Sequence, residues 1–178
     1  MRRAVCGGYN SGMTVFHCAK CAVGLTPDLQ ALPAVPDVSV HDRARDRKTA
    51  LAPSTVPRGH YAIDPEPWGA PFEPARNPAG NEGKRGAGDR DLLMPPGMEG
   101  LVAAGPAGSA IVHPDDVRTL HVTAAGGSHW GCCGPLGTGG RNMACTCGTL
   151  VATLAADCMG PHELHLDPVR VYAFDAEG

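Results

Sequence analysis

Apolar residues along this chain come in short runs bounded by Gly and Pro, and most of those runs predict strands. Thr14-Val15-Phe16 is β-prone and leads directly into Cys18-Ala19-Lys20-Cys21. Thr149-Leu150-Val151-Ala152-Thr153-Leu154 leaves a second cysteine pair in the same way. Near the C-terminal end Val169, Val171 and Ala173 alternate with Arg170, Tyr172 and Phe174, the period of a half-buried strand. Leu101 to Ala104, a Gly105-Pro106-Ala107-Gly108 turn and Ser109 to His113 predict a β-hairpin. Two short helix starts are expected, each with Pro at the first helical position: Thr26-Pro27, and Pro114 followed by Asp115 and Asp116.

Composition narrows this picture. The chain holds 24 Gly and 17 Pro among 178 residues, about twice the ordinary share of roughly 12%. Long helices are excluded, and only part of the chain can form a dense core. With 3 Phe, 3 Tyr and 2 Trp, that core must be built from Val, Leu, Ile and Ala. Prolines from Pro33 to Pro96 are expected to break regular elements between Pro33 and Gly100. The fold class expected is therefore mostly β, small and irregular with minor α+β character, its zinc-ribbon-like knuckles joined across a Pro/Gly-rich middle. Four zones follow. Residues 1–12 are a disordered arm or precede a true start at Met13, and residues 13–32 form an N-terminal knuckle. Residues 33–98 are the middle, with a linker at 77–91, and residues 99–178 are a C-terminal β region with a cysteine cluster.

The formal net charge of −3 argues against electrostatic nucleic-acid binding. The charged stretch His41 to Lys48 contains Asp42 and Asp46 and no aromatics, so it reads as a short solvated helix. Arg2 and Arg3 resemble a signal n-region, but no apolar h-region follows, and no run approaches 18 apolar residues. A cytoplasmic, reducing location is expected, where clustered cysteines bind metal rather than pair.

The cysteine spacing carries the chemistry. Cys18-x-x-Cys21 is the first half of a tetrahedral site, because two thiolates two residues apart face one ion when the backbone turns through a knuckle. Ala22 stands where such knuckles commonly place Gly. Cys145-x-Cys147-Gly148 is one residue tighter and supplies that glycine. Cys18, Cys21, Cys145 and Cys147 are thus the favoured Zn2+ ligands. Cys132, Cys133 and Cys158 remain as a second site or as alternative ligands, with His129 or His162 as a fourth donor. Neighbouring side chains diverge, so one of Cys132 and Cys133 is expected to be a buried thiol.

Other motifs fall short. His162-Glu163-Leu164-His165 has i, i+3 spacing rather than the i, i+4 of a metalloprotease helix, and reads as strand with surface histidines. The serines lack a nucleophile elbow, and Gly131 to Gly140 lacks the Lys of a phosphate loop. Arg58 to Trp68 combines His, carboxylates and aromatics and is expected to wrap over the core.

The motifs His17-Cys18-x-x-Cys21-x-x-Gly24-Leu25-Thr26, Cys132-Cys133-Gly134-Pro135, Cys145-x-Cys147-Gly148 and Asp157-Cys158 resemble those of small uncharacterised bacterial Cys-rich proteins with zinc-ribbon-like knuckles. The resemblance spans about a third of the chain and implies metal binding without an activity. The function expected is structural zinc binding with a binding or adaptor role, the partner being protein rather than nucleic acid or membrane. The alternatives are a zinc hydrolase with an open metal position, or a thiol redox sensor. Limited trypsin digestion should cut first at Lys84, Arg85 or Arg90, in the segment with least to anchor it. First cleavage at Arg141 or Arg170, read by mass spectrometry, would misplace the core.

Overall fold

A computed structural model describes residues 13–37, 44–74, 97–98, 100–123, 129–158 and 160–175. The expected arm at 1–12, with Cys6, and the linker at 77–91 lie outside these residues. The fold is mostly β. Among the described residues eleven strands run β1 (Met13–Cys18), β2 (Leu29–Ala31), β3 (His60–Asp64), β4 (Phe72–Pro74), β5 (Leu101–Ala103), β6 (Ser109–Val112), β7 (His121–Val122), β8 (Met143–Ala144), β9 (Leu150–Ala156), β10 (His162–Leu166) and β11 (Val171–Asp175). Nine of them form one sheet in the order β11-β1-β2-β3-β6-β10-β9-β8-β7, and β4 pairs with β5 separately.

Alternation along β10 and β6 divides this sheet into two unlike faces. On one face Leu164 and Leu166 meet Ala110, Val112 and Ala152, together with Phe16, Leu25, Leu29 and Met143, in a continuous apolar core. The other face carries Ile111 and Ala62, with Val56 over them, beside buried Ser109, Glu163 and His165. The sheet is strongly curled. β1 is second in the order and β8 eighth, so six strand spacings of about 4.8 Å would hold them roughly 29 Å apart in a flat sheet. The cysteines that follow β1 and β8 nevertheless lie within 4.8 Å of one another.

Several expectations change. Leu101–Ala103 does not form a hairpin with Ser109–Val112. β5 pairs with β4, and the fully buried β6 lies between β3 and β10. Its four buried side chains need a sheet neighbour on each side, which the half-exposed β5 cannot provide. The prolines did not break up the middle of the chain, since β3 occupies the fourth position of the sheet. Pro57 and Pro65 flank that strand rather than interrupt it. No helix starts at Thr26. Its hydroxyl accepts the Phe16 amide at 3.0 Å, and Leu29 is drawn into the core as part of β2. Of the charged stretch, residues 41–43 lie outside the described residues, and over the remainder Asp46 accepts the Lys48 and Thr49 amides and closes a turn. Pro114–Asp116 is a single 3-10 turn, capped by His113. β11 is an edge strand on which only Val171 is buried, so the expected alternation fails at Ala173.

Truncating the core should therefore cost far more than truncating the edge. Leu164→Ala, at a residue 1% exposed, should lower stability by about 2–5 kcal/mol in urea unfolding. Val169→Ala, at a residue 68% exposed, should change it by less than about 0.5 kcal/mol.

Candidate metal centre

Each favoured cysteine pair sits at the tip of a strand turn. After β1 the chain reverses so that the Cys18 amide donates to the Val23 carbonyl and the Leu25 amide to the Phe16 carbonyl. The Ala22 amide closes onto the Cys18 carbonyl at 2.8 Å. Ala22 takes φ +58°, the left-handed conformation that knuckles normally give to Gly. Between β8 and β9 the Cys145 amide donates to the Thr149 carbonyl, and the Gly148 amide donates to the Cys145 carbonyl at 2.8 Å. Gly148 has φ +79°. Both turns thus place a left-handed residue immediately after the second cysteine, and the C-x-C turn closes one residue sooner than C-x-x-C.

The two tips meet. Cys18 Sγ lies 3.8 Å from Cys147 Sγ, and Cys21 Sγ lies 3.6 Å from Cys145 Sγ. All four cysteines are free thiols, with Cys18 and Cys145 buried and Cys21 exposed. A tetrahedron with Zn–S bonds of about 2.3 Å has S···S edges of about 3.8 Å, so these two separations match such edges, and all four sulfurs lie within 4.8 Å of one another. The crowding also divides the thiols. The Thr149 hydroxyl and amide favour the Cys147 thiolate and pull its pKa down to about 6. At Cys21 the Val23 amide acts in the same direction, but desolvation and the neighbouring thiols of Cys147, Cys145 and Cys18 outweigh it and push the thiol up to about 12.

A second cluster joins Cys132, Cys133, Asp157 and Cys158. Its fourth member is a carboxylate rather than His129 or His162. His129 Nδ1 pairs with the Thr138 hydroxyl at 3.0 Å. His162 stands by His113, held below the usual histidine range by burial first and by that neighbour second. Asp157 is buried and accepts the amides of Cys133 at 3.0 Å and Gly134 at 3.3 Å. The Gly131-Cys132-Cys133-Gly134 sequence explains the close fit: a Cβ on Gly131 would lie 2.1 Å from Asp157 Oδ2, and one on Gly134 would lie 2.4 Å from the Ala156 carbonyl oxygen. Neither Cys132 nor Cys133 is the buried thiol expected, since both are exposed with sulfurs 3.5 Å apart. Cys132 and Cys158 approach to 2.9 Å, and the two neighbouring thiols push Cys158 up to about 12. Asp157 beside Cys158, framed by those two glycines, was the available clue to the fourth donor.

The remaining histidine of the 162–165 motif corrects the sequence reading. His165 is 2% exposed and stacks against Trp68 with ring centroids 3.9 Å apart. The chain matches no protein-family model, no curated protein and no solved structure. Two cysteine-rich groups that can hold a metal ion are therefore the firmest functional feature of the described residues.

The thiol asymmetry is measurable. In metal-free protein, iodoacetamide labelling of Cys147 should rise with pH through about 6, because the thiolate is the nucleophile. Cys21, although exposed, should stay slow until the pH nears about 12. Equal labelling of the two at pH 7, read by peptide mass mapping, would contradict the assignment.

Proposed function

We propose that Cys18, Cys21, Cys145 and Cys147 bind one Zn2+ as a structural cross-link in a zinc-ribbon-like arrangement, and that the protein serves as a binding or adaptor module for another protein. The observation that carries this reading is the pair of S···S separations, 3.6 and 3.8 Å, between two knuckles more than 120 residues apart. Four thiolates brought so close repel one another, and a divalent cation removes that repulsion while displacing their protons. The ion then closes a very long loop, which restricts the unfolded chain, and its binding energy adds to folding. Four sulfur ligands leave no coordination position for water, so a hydrolytic role for zinc at this site is disfavoured. The thiol-sensor alternative draws on the lowered Cys147 pKa. Zinc would mask that thiolate, so metal content separates the two readings.

The second cluster offers three sulfurs and a carboxylate for a further ion, held more weakly. Asp157 is already engaged by two amides, and Cys132 and Cys158 must separate by nearly 1 Å to reach a tetrahedral edge. For the partner, β11 supplies exposed Tyr172 and Phe174 at the sheet edge, with His17 stacked on Tyr172. Aromatic side chains of this kind are favoured at protein interfaces.

Native mass spectrometry of protein made in a reducing host should find one zinc that survives mild chelation. X-ray absorption should show four sulfur scatterers near 2.3 Å. Cys21→Ser and Cys145→Ser should each lower the melting temperature strongly, whereas His162→Ala should leave it nearly unchanged. Metal-free protein with all four thiols freely alkylated and an unchanged melting temperature would overturn the reading.

A further inference from the structure

The sheet face opposite the core carries a chain of polar side chains that the metal reading does not use. Glu163 and His165 are two apart in β10 and so project from the same face. Ser109, at the start of β6, lies one position beyond the Ala110–Leu166 pair and reaches that face beside His165. Ser109 Oγ is 2.9 Å from His165 Nδ1, and His165 Nε2 is 2.7 Å from Glu163 Oε2. The Thr55 hydroxyl donates to the other carboxylate oxygen, Oε1. Ser109, His165 and Glu163 are 4%, 2% and 0% exposed, so bulk water does not compete for these bonds.

The roles follow from the donor inventory. A carboxylate can only accept, so Glu163 fixes the proton on Nε2 and leaves Nδ1 as a base facing the Ser109 hydroxyl. This is the nucleophile, base and orienting carboxylate of acyl-transfer sites, recognised by role and distance rather than by position in sequence. Trp68, parallel to the imidazole within 9°, holds the ring plane. Ser109 and His165 line a small, partly open cleft whose walls include Trp68, Pro106, Pro168, Arg141 and Asp167. Arg141 donates to Asp167 at 2.6 Å, which takes one of its five N–H donors. The pair lies in the cleft wall, and the remaining N–H groups of Arg141 are the donors it offers to a developing oxyanion.

We propose that Ser109, His165 and Glu163 form a hydrolytic relay that cleaves short-chain carboxylic esters in the cleft between Trp68 and Arg141. Ser109 Oγ bonds to the ester carbonyl carbon as its proton passes to His165 Nδ1, and the carbonyl π pair moves onto oxygen. The tetrahedral adduct collapses, the bond to the alcohol oxygen breaks, and that oxygen takes the proton from Nδ1. Water then repeats the sequence on the acyl-Ser109, releasing the carboxylic acid and restoring the serine. The small size of the cleft favours small acyl groups over long chains.

The test uses the full chain with an alkyl fluorophosphonate, which phosphonylates an activated serine and ignores an ordinary one. One label per chain on the peptide containing Ser109 is expected, along with hydrolysis of p-nitrophenyl butyrate. Ser109→Ala should remove the label and slow hydrolysis by about 100-fold or more, in line with the roughly 10²–10⁴ that a positioned base contributes. Glu163→Gln should slow labelling and move the acid limb of the pH–rate profile, where the imidazole base loses its proton, to lower pH, a shift that loss of a purely structural bond would not produce. Folded wild-type protein that takes up no label, or label at another residue with Ser109→Ala hydrolysing at the wild-type rate, would overturn the proposal. Wild-type labelling alone decides the matter should a variant fail to fold, and it is independent of metal content.

Discussion

Four sulfur atoms gathered at the open side of a curled sheet set the terms for the rest of this molecule. β1 and β8 share no hydrogen bonds and are six positions apart in the strand order, yet their cysteines converge. The side chains, not the backbone ladder, define where the sheet meets itself. The curl that brings them together wraps the apolar face inward, so Phe16 and Leu29 from the N-terminal strands share one core with Met143 and Leu166. The core and the cysteine cluster are therefore two aspects of the same curvature.

The outward face obeys a different constraint. Burying a carboxylate such as Glu163 carries a desolvation penalty of several kcal/mol unless its oxygens are well partnered. Here His165 and Thr55 supply one partner to each oxygen, and Trp68 covers one face of the imidazole. The middle of the chain is thus recruited twice, as β3 within the sheet and as the cover over β10. An interior whose second face mixes Ile111 and Ala62 with the bonded Ser109, His165 and Glu163 has fewer alternative packings than two apolar faces would have. Sliding β10 by one residue would put Glu163 and His165 into the hydrocarbon core.

Much of this was legible in the residues, and the failures have identifiable causes. The knuckles announced themselves because metal ligation demands close spacing in sequence, and the β1 and β9 strands followed from the β-prone runs beside them. The 101–113 hairpin misled because local turn chemistry at Gly105 and Pro106 says nothing of which strands lie next to β6. That outcome depends on the wholly buried Ser109–Val112 run needing partners on both edges. His165 looked like a surface residue because its partners, Ser109 and Trp68, are 56 and 97 positions away. The fourth donor of the second cluster was missed for a related reason. Asp157 is paired with backbone amides across a turn, and only the tolerance for two glycines at 131 and 134 hints at it.

The pairing of β1 with β11 has a consequence for how the chain comes into being. On one edge residues 14–18 pair with residues 171–175, so the ladder on that side of β1 cannot form until residue 175 has left the ribosome. Folding of such a topology is slow, since distant segments must meet before any pairing is rewarded. Throughout that interval Cys18 and Cys21 are already synthesised, a loose dithiol waiting for ligands more than a hundred residues downstream. Vectorial synthesis thus presents the nascent chain with half of the four-cysteine group long before the other half exists. The reducing power and free metal of its surroundings during those seconds bear on which product emerges.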